Sequence, residues 1–174
     1  MMGDKLRLLK EDITQLHVDA IVNAANNALE DGAGVNGAIH KAAGPELNIA
    51  CRALHNCPVG QAKITKGFNL QAKYIIHTVG PIWRGGNKGE SKLLASCYYE
   101  SLKLALENNI ANIAFPAISC GIFGYPANQA AIVAIKETAN FIELHPEITM
   151  VYFVCPEESA FEAYEQALNT YCHE

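Results

Sequence analysis

The chain has 174 residues, half of them apolar and 18% charged, with 13 basic against 18 acidic side chains and a net charge of −5. Domains usually run about 100–150 residues, so this length suits a single domain spanning 1–174. The composition excludes a disordered or collagen-like chain. No apolar run reaches the ~20 residues that cross a bilayer. The opening Met1-Met2-Gly3-Asp4-Lys5 lacks the basic-then-apolar order of a secretion signal. No basic stripe suits the phosphates of a nucleic-acid duplex, so an anion would have to be held by local geometry rather than by net charge.

Taken in chain order, period-2 or continuous apolar runs alternate with helical periods. Residues 6–9 predict a strand, followed by Glu11-Asp12-Ile13-Thr14. Residues 20–24 are nearly all apolar, as in a strand covered on both faces, and lead into Asn23-Ala24-Ala25-Asn26 and then a glycine-rich stretch at 31–37. A short helix is expected over 37–43 and another after Pro45, then strands at 62–66 and 74–79. Leu94, Tyr98, Leu102 and Leu106 mark the buried face of a longer helix, opposite Lys92, Ser96, Glu100, Lys103 and Glu107. A strand at 112–115 runs into Pro116-Ala117-Ile118-Ser119-Cys120-Gly121-Ile122-Phe123-Gly124. Pro126 then opens a helix whose apolar repeat is Ile132, Ile135, Ala139 and Ile142. A last strand at 149–154 precedes Cys155-Pro156-Glu157. The final helix begins near Pro156, with Glu157 and Glu158 in its first turn and Phe161, Tyr164, Leu168 and Tyr171 on its apolar face. This alternation predicts an α/β domain, a three-layer α/β/α sandwich with a mixed central sheet.

In open α/β sheets ligands sit beyond the carboxyl ends of the strands, so the loops after strands carry the information. Gly32-Ala33-Gly34-Val35-Asn36-Gly37 matches G-x-G-x-x-G. It fails as a dinucleotide fingerprint: residues 27–31 separate it from its strand, and no strand-end acid stands about 20 residues on. The glycines still allow close backbone approach ahead of a helix, and residues 119–124 repeat the arrangement. Two such loops, neither containing Lys or Arg, can clamp a diphosphate by backbone N–H groups. Asn23, Asn26 and Asn36 offer neutral amides for hydroxyls, with Asn23 better suited to fixing loop geometry. Asp12 suits either an adenine amino group or a helix cap, and Phe123 either core or a sugar face.

Six cysteines, at 51, 57, 97, 120, 155 and 172, form no C-x-x-C pair and read as reduced thiols in a cytoplasm. Cys51, His55 and Cys57 lack a fourth ligand for zinc, Cys120 has no base paired with it, and His40 and His77 read as packing or capping groups. No metal or cofactor is called for.

Val22-Asn23-Ala24-Ala25-Asn26, the run from Gly34 to Pro45, the run from Tyr74 to Trp83 and the run from Phe115 to Pro126 together resemble the signatures of a macro domain. The chain is most similar to the MacroD-type class, whose members bind ADP-ribose and hydrolyse its esters, namely mono-ADP-ribosylated acidic side chains and O-acetyl-ADP-ribose. The resemblance implies that Asp12 and Ile13 hold adenine, with Pro156 where an aromatic often stacks. It implies that Gly34, Val35, Ser119, Gly121, Ile122, Phe123 and Gly124 enclose the diphosphate and distal ribose, and that Asn26 bonds that ribose. No metal belongs to this class.

The chain departs from the pattern at Glu11, where Gly is usual, and at Asp31 and Ala33, which break the glycine run; Asp31 is expected to face solvent. The class also carries an acid where this chain has Asn36, and an amide can orient water but cannot take its proton. The resemblance therefore implies an ester hydrolase with Asn26 and Asn36 as its catalytic amides, assisted by the ligand's own phosphate. The alternative is a non-catalytic ADP-ribose reader. Expected partners are ADP-ribose or its esters and mono-ADP-ribosylated proteins, not duplex nucleic acid or membrane. An adenine-rich RNA binder is disfavoured by the acidic charge and by the lack of interleaved Arg and aromatics.

Overall fold

The computed structural model describes residues 2–172. Six strands, β1 (Leu6–Leu9), β2 (Ala20–Ala24), β3 (Ala62–Lys66), β4 (Tyr74–Thr78), β5 (Asn112–Pro116) and β6 (Met150–Val154), form one sheet in the order β1-β6-β5-β2-β4-β3. All neighbours run parallel except the edge strand β3, which lies antiparallel to β4. The helices are α1 (Gly34–Ala43), α2 (Glu46–Leu54), α3 (Glu90–Glu107), α4 (Ala127–Leu144) and α5 (Glu158–Cys172).

Alternation along the strands builds two cores. Val22, Ile76, Ile113, Phe115 and Phe153 pack with α3, α4 and α5 on one face of the sheet. Ile21, Ile75, Ala114 and Val154 pack with α1 and α2 on the other. The expected three layers are present. One helical face differs from expectation: Ile132 is 59% exposed, and the packed side of α4 is made of Ala130, Ala131, Ala134 and Ala139 together with Ile135 and Ile142. Because α4 packs against both α3 and α5, small residues let the three helices approach closely. Helix α1 begins three residues earlier than the expected 37, because extended Ala33 followed by Gly34 at φ +63° turns the chain into the helix before the glycine stretch has ended.

The central pair of strands positions everything that follows. Strand β2 pairs with β4 along its whole length, yet its ladder with β5 holds only the two pairs Ala20–Ile113 and Ile21–Ala114. At their amino ends these two strands are clamped. The Asp19 N–H donates to Asn112 Oδ1 at 2.6 Å, and the Asp19 carboxylate accepts from the Ala111 N–H at 2.9 Å. Towards their carboxyl ends they part. Ala25 continues along β4 through its N–H to the Thr78 carbonyl (2.9 Å), while β5 stays with β6 through Pro116, which has no N–H to give. From β2 the chain leaves through α1 and α2 towards β3 and β4, and from β5 it leaves through α4 towards β6, on the opposite face. Adjacent strands whose connections diverge in this way leave a crevice at their carboxyl edge.

Removing the clamp tests its role. Asp19→Ala leaves the Ala111 N–H without its acceptor and is expected to lower stability by about 1–3 kcal/mol, read as a reduced urea midpoint with an unchanged slope.

Candidate functional site

A cavity of about 660 Å³ fills this crevice. Its wall takes Ala24, Pro116 and Val154 from strand ends and Gly80 from beyond β4. The amino ends of three helices reach it: Gly34 to Asn36 of α1, Ala127 of α4, and Ser159 and Ala160 of α5. First-turn N–H groups have no intrahelical acceptor, so these ends present hydrogen-bond donors and positive dipole ends to the cavity. In the facing turn, Cys120, Gly124 and Tyr125 give their N–H groups to Ala117, Gly121 and Ser119 carbonyls, while those of Gly121, Ile122 and Phe123 meet no backbone carbonyl among the described residues. No Lys or Arg stands in the wall, and its carboxylates Glu11, Asp12 and Glu157 gather at the β1–β6 end. There Lys10, beyond β1, pairs with Glu158 and lies over the Phe161 ring. The site is built to meet an anion with neutral dipoles.

A buried amide network holds the β2 side of the cavity. Asn23 Nδ2 donates to Asn36 Oδ1 at 2.8 Å and to His77 Nδ1 at 3.2 Å, which leaves the ring proton on Nε2, facing Thr65 Oγ1 at 3.0 Å. Burial, helped by neighbouring His40, pushes His77 down to about 3, so the imidazole is neutral at physiological pH. Asn36 Nδ2 in turn donates to the Glu30 carbonyl at 2.8 Å. Asn26 grips the same residue twice, donating to the Glu30 carbonyl and accepting from its N–H, both at 2.9 Å. The loop after β2 is thus pinned by three asparagines, and Gly37 admits the close return of Gly32, whose carbonyl a side chain at Gly37 would strike.

The expected binding residues Asp12, Ile13, Asn26, Gly34, Val35, Ser119, Gly121, Ile122, Phe123 and Pro156, together with Asn36, all line the cavity. Gly124 does not. At φ +72° it closes the turn behind Phe123. Asp12 also caps the 3-10 turn Ile13–Gln15, its Oδ1 accepting from the Thr14 N–H (3.0 Å) and hydroxyl (2.7 Å), which leaves Oδ2 for another donor. The Ser119 hydroxyl donates to the Pro81 carbonyl at 2.8 Å, so this residue anchors its loop to the β4–α3 connection. Any side chain on Gly80 would collide with that hydroxyl, which makes Gly80 a wall residue that sequence reasoning missed. Asn36 is 6% exposed, with one donor and one acceptor already engaged. Cys120 lies in the wall rather than wholly in the core, and burial pushes its thiol up to about 11, far from a reactive thiolate. Asp31 is exposed and outside the wall, as expected.

A model of the Macro domain family matches residues 22–134. The chain is 51% identical over 166 residues to a Methanosarcina mazei macro domain-containing protein, covering 95% of this chain and 89% of that one. It is 49% identical over 171 residues to the O-acetyl-ADP-ribose deacetylase of Citrobacter koseri, covering 96% and 97%. Its fold superposes on the Oceanobacillus iheyensis macrodomain with ADP at a TM-score of 0.92, with 38% identity and 97% and 92% of the two chains covered.

Asn36→Asp keeps an acceptor for Asn23 but sets a carboxylate against the Glu30 carbonyl. A loss of about 1–3 kcal/mol of stability is expected, with faster amide exchange confined to residues 26–33. Unchanged exchange would mean that the Asn36–Glu30 bond does not hold that loop.

Proposed function

Because the chain belongs to the macro domain family, we propose that it binds ADP-ribose and hydrolyses ADP-ribosyl esters, both mono-ADP-ribosylated acidic side chains and O-acetyl-ADP-ribose. The observation that carries this reading is a cavity walled by two N–H-presenting loops and free of cationic side chains. Such a wall suits a diphosphate. Adenine lies at the Asp12, Ile13 and Pro156 end, the diphosphate between Gly34–Val35 and residues 121–123, and the distal ribose against Asn26 and Phe123. The three acids at the adenine end leave the diphosphate clear of like charge.

Hydrolysis adds water across the ester bond, and the site must orient that water and take its proton. Asn26 keeps one N–H and one lone pair beyond its Glu30 bonds, enough to hold a ribose hydroxyl or the water. Asn36, buried and engaged on both sides, steadies the loop but cannot act as a base. Among the described residues the wall near Asn26 holds no carboxylate or imidazole, so a phosphate oxygen of the ligand accepts the proton. The same absence favours the second reading, a binding module without turnover. The chain acts as one such domain in the cytoplasm, a placement supported by six unpaired thiols. Among the described residues no helix is long and apolar enough to cross a membrane.

Release of ADP-ribose from a glutamate-esterified peptide separates the two readings. Turnover that Asn26→Ala abolishes supports the hydrolase, whereas tight binding without release makes the protein a reader. Binding is tested at Gly121, where an added side chain meets nothing within 4 Å and so points into open space. Gly121→Val is expected to weaken ADP-ribose binding at least about tenfold by calorimetry, with no change in melting temperature. Retained affinity would place the diphosphate elsewhere. Asp12→Ala is expected to cost about 1–3 kcal/mol of binding, and an unchanged dissociation constant would leave Asp12 a cap alone.

A further inference from the structure

A second cavity, of about 230 Å³, adjoins the first, and Gly80 and Phe123 belong to both walls. Neighbouring asparagines divide between them, Asn26 lining the first and Asn27 the second. Val59, Val79, Ile82 and Leu93 give the second cavity an apolar lining, and Arg84 and Lys88 add two cations. Both cations are exposed, and among the described residues neither forms an ion pair.

Glu90 also belongs to this wall, but its carboxylate is buried against the loop backbone. It is 2% exposed and accepts the backbone N–H groups of Arg84, Gly86 and Lys88 at 2.8, 2.9 and 2.7 Å. Burial works against its ionisation, yet these bonds hold its carboxyl down at about 2. Its charge is spent on ordering the loop, which leaves the two side-chain cations free in a chain whose net charge is −5.

We propose that this second cavity receives the acyl side of the ester, with the methylene stem of a modified Glu or Asp over the apolar lining and the carboxylates of an acidic flanking peptide on Arg84 and Lys88. The proposal rests on the ADP-ribose reading of the first cavity. With the distal ribose against Asn26 and Phe123, its ester lies beside the Gly80 and Phe123 wall that the second cavity shares. The cavity is too small for a second nucleotide and has room for one extended side chain. The preferred substrate is then a modified site within an acidic stretch of protein, while O-acetyl-ADP-ribose fills the apolar part and never reaches the cations.

The experiment is fluorescence-polarisation binding of peptides carrying ADP-ribose through a non-hydrolysable linkage, with acidic or uncharged flanks, alongside free ADP-ribose. The acidic peptide is expected to bind about fivefold tighter at low salt, and the advantage should fade as salt screens it. Arg84→Gln with Lys88→Gln is expected to abolish the preference and leave free ADP-ribose affinity unchanged, while Arg84→Lys with Lys88→Arg keeps it. Equal affinity for the two peptides in the parent protein, or a preference that survives the double Gln variant, overturns the proposal. Failure of free ADP-ribose itself to bind is a separate result, and it removes the first-cavity reading together with this one.

Discussion

One carboxylate and one amide, Asp19 and Asn112, tie the amino ends of β2 and β5 together, and the sheet opens beyond them. Two strands joined at one end and parted at the other make a wedge-shaped gap at the centre of the sheet. The gap persists because each strand keeps its outer partner, β2 with β4 and β5 with β6. The centre of the cavity is placed by that wedge. Helices α1 and α4 start on its two sides, and the loops that precede them form the facing lips. A negative ligand entering between them meets dipoles already fixed by the fold, so little reorganisation accompanies binding.

The loop after β2 shows what the polar interior contributes. Asn23 and His77 are fully buried, and a neutral imidazole there is compatible with an apolar core as long as its two nitrogens are partnered. The network hands its last bond to Asn36, which passes it to the Glu30 carbonyl. A carboxylate at this position would offer proton-accepting power but no hydrogen for that carbonyl. The amide gives up proton-accepting power and holds the loop firmly instead.

Much of this architecture was legible in the chain itself. The central strands follow from short apolar runs, because strands of a covered parallel sheet must be apolar on both faces, while the edge strand β3 shows only alternation. The two glycine loops and Asn26 were legible too, since a helix start after a flexible turn is a local pattern. What escaped reading depends on distant partners. Ser119 stands in the cavity wall, but the tie of its hydroxyl to Pro81, 38 residues away, shows in no local pattern. Gly80 becomes intelligible only with that hydroxyl beside it. Ile132 fits the helical period but lies outside the packed strip, because α4 has neighbours on two sides and its alanines meet them. Arg84 and Lys88 look like ordinary surface charge until Glu90 is found facing inward.

The antiparallel strand β3 ends the sheet on one side and β1 ends it on the other. A bare strand edge is a template on which another chain can add, and open sheets invite that form of aggregation. Here Lys63 on β3 is fastened by its ammonium to the Leu54 carbonyl at 2.7 Å, and Lys66 stands exposed at the end of the strand. Arg7 is exposed on β1. Although the molecule as a whole is acidic, both borders of its sheet carry cations. Copies meeting border to border would bring like charges together, which discourages polymerisation through the sheet and leaves its central opening free for the ligand.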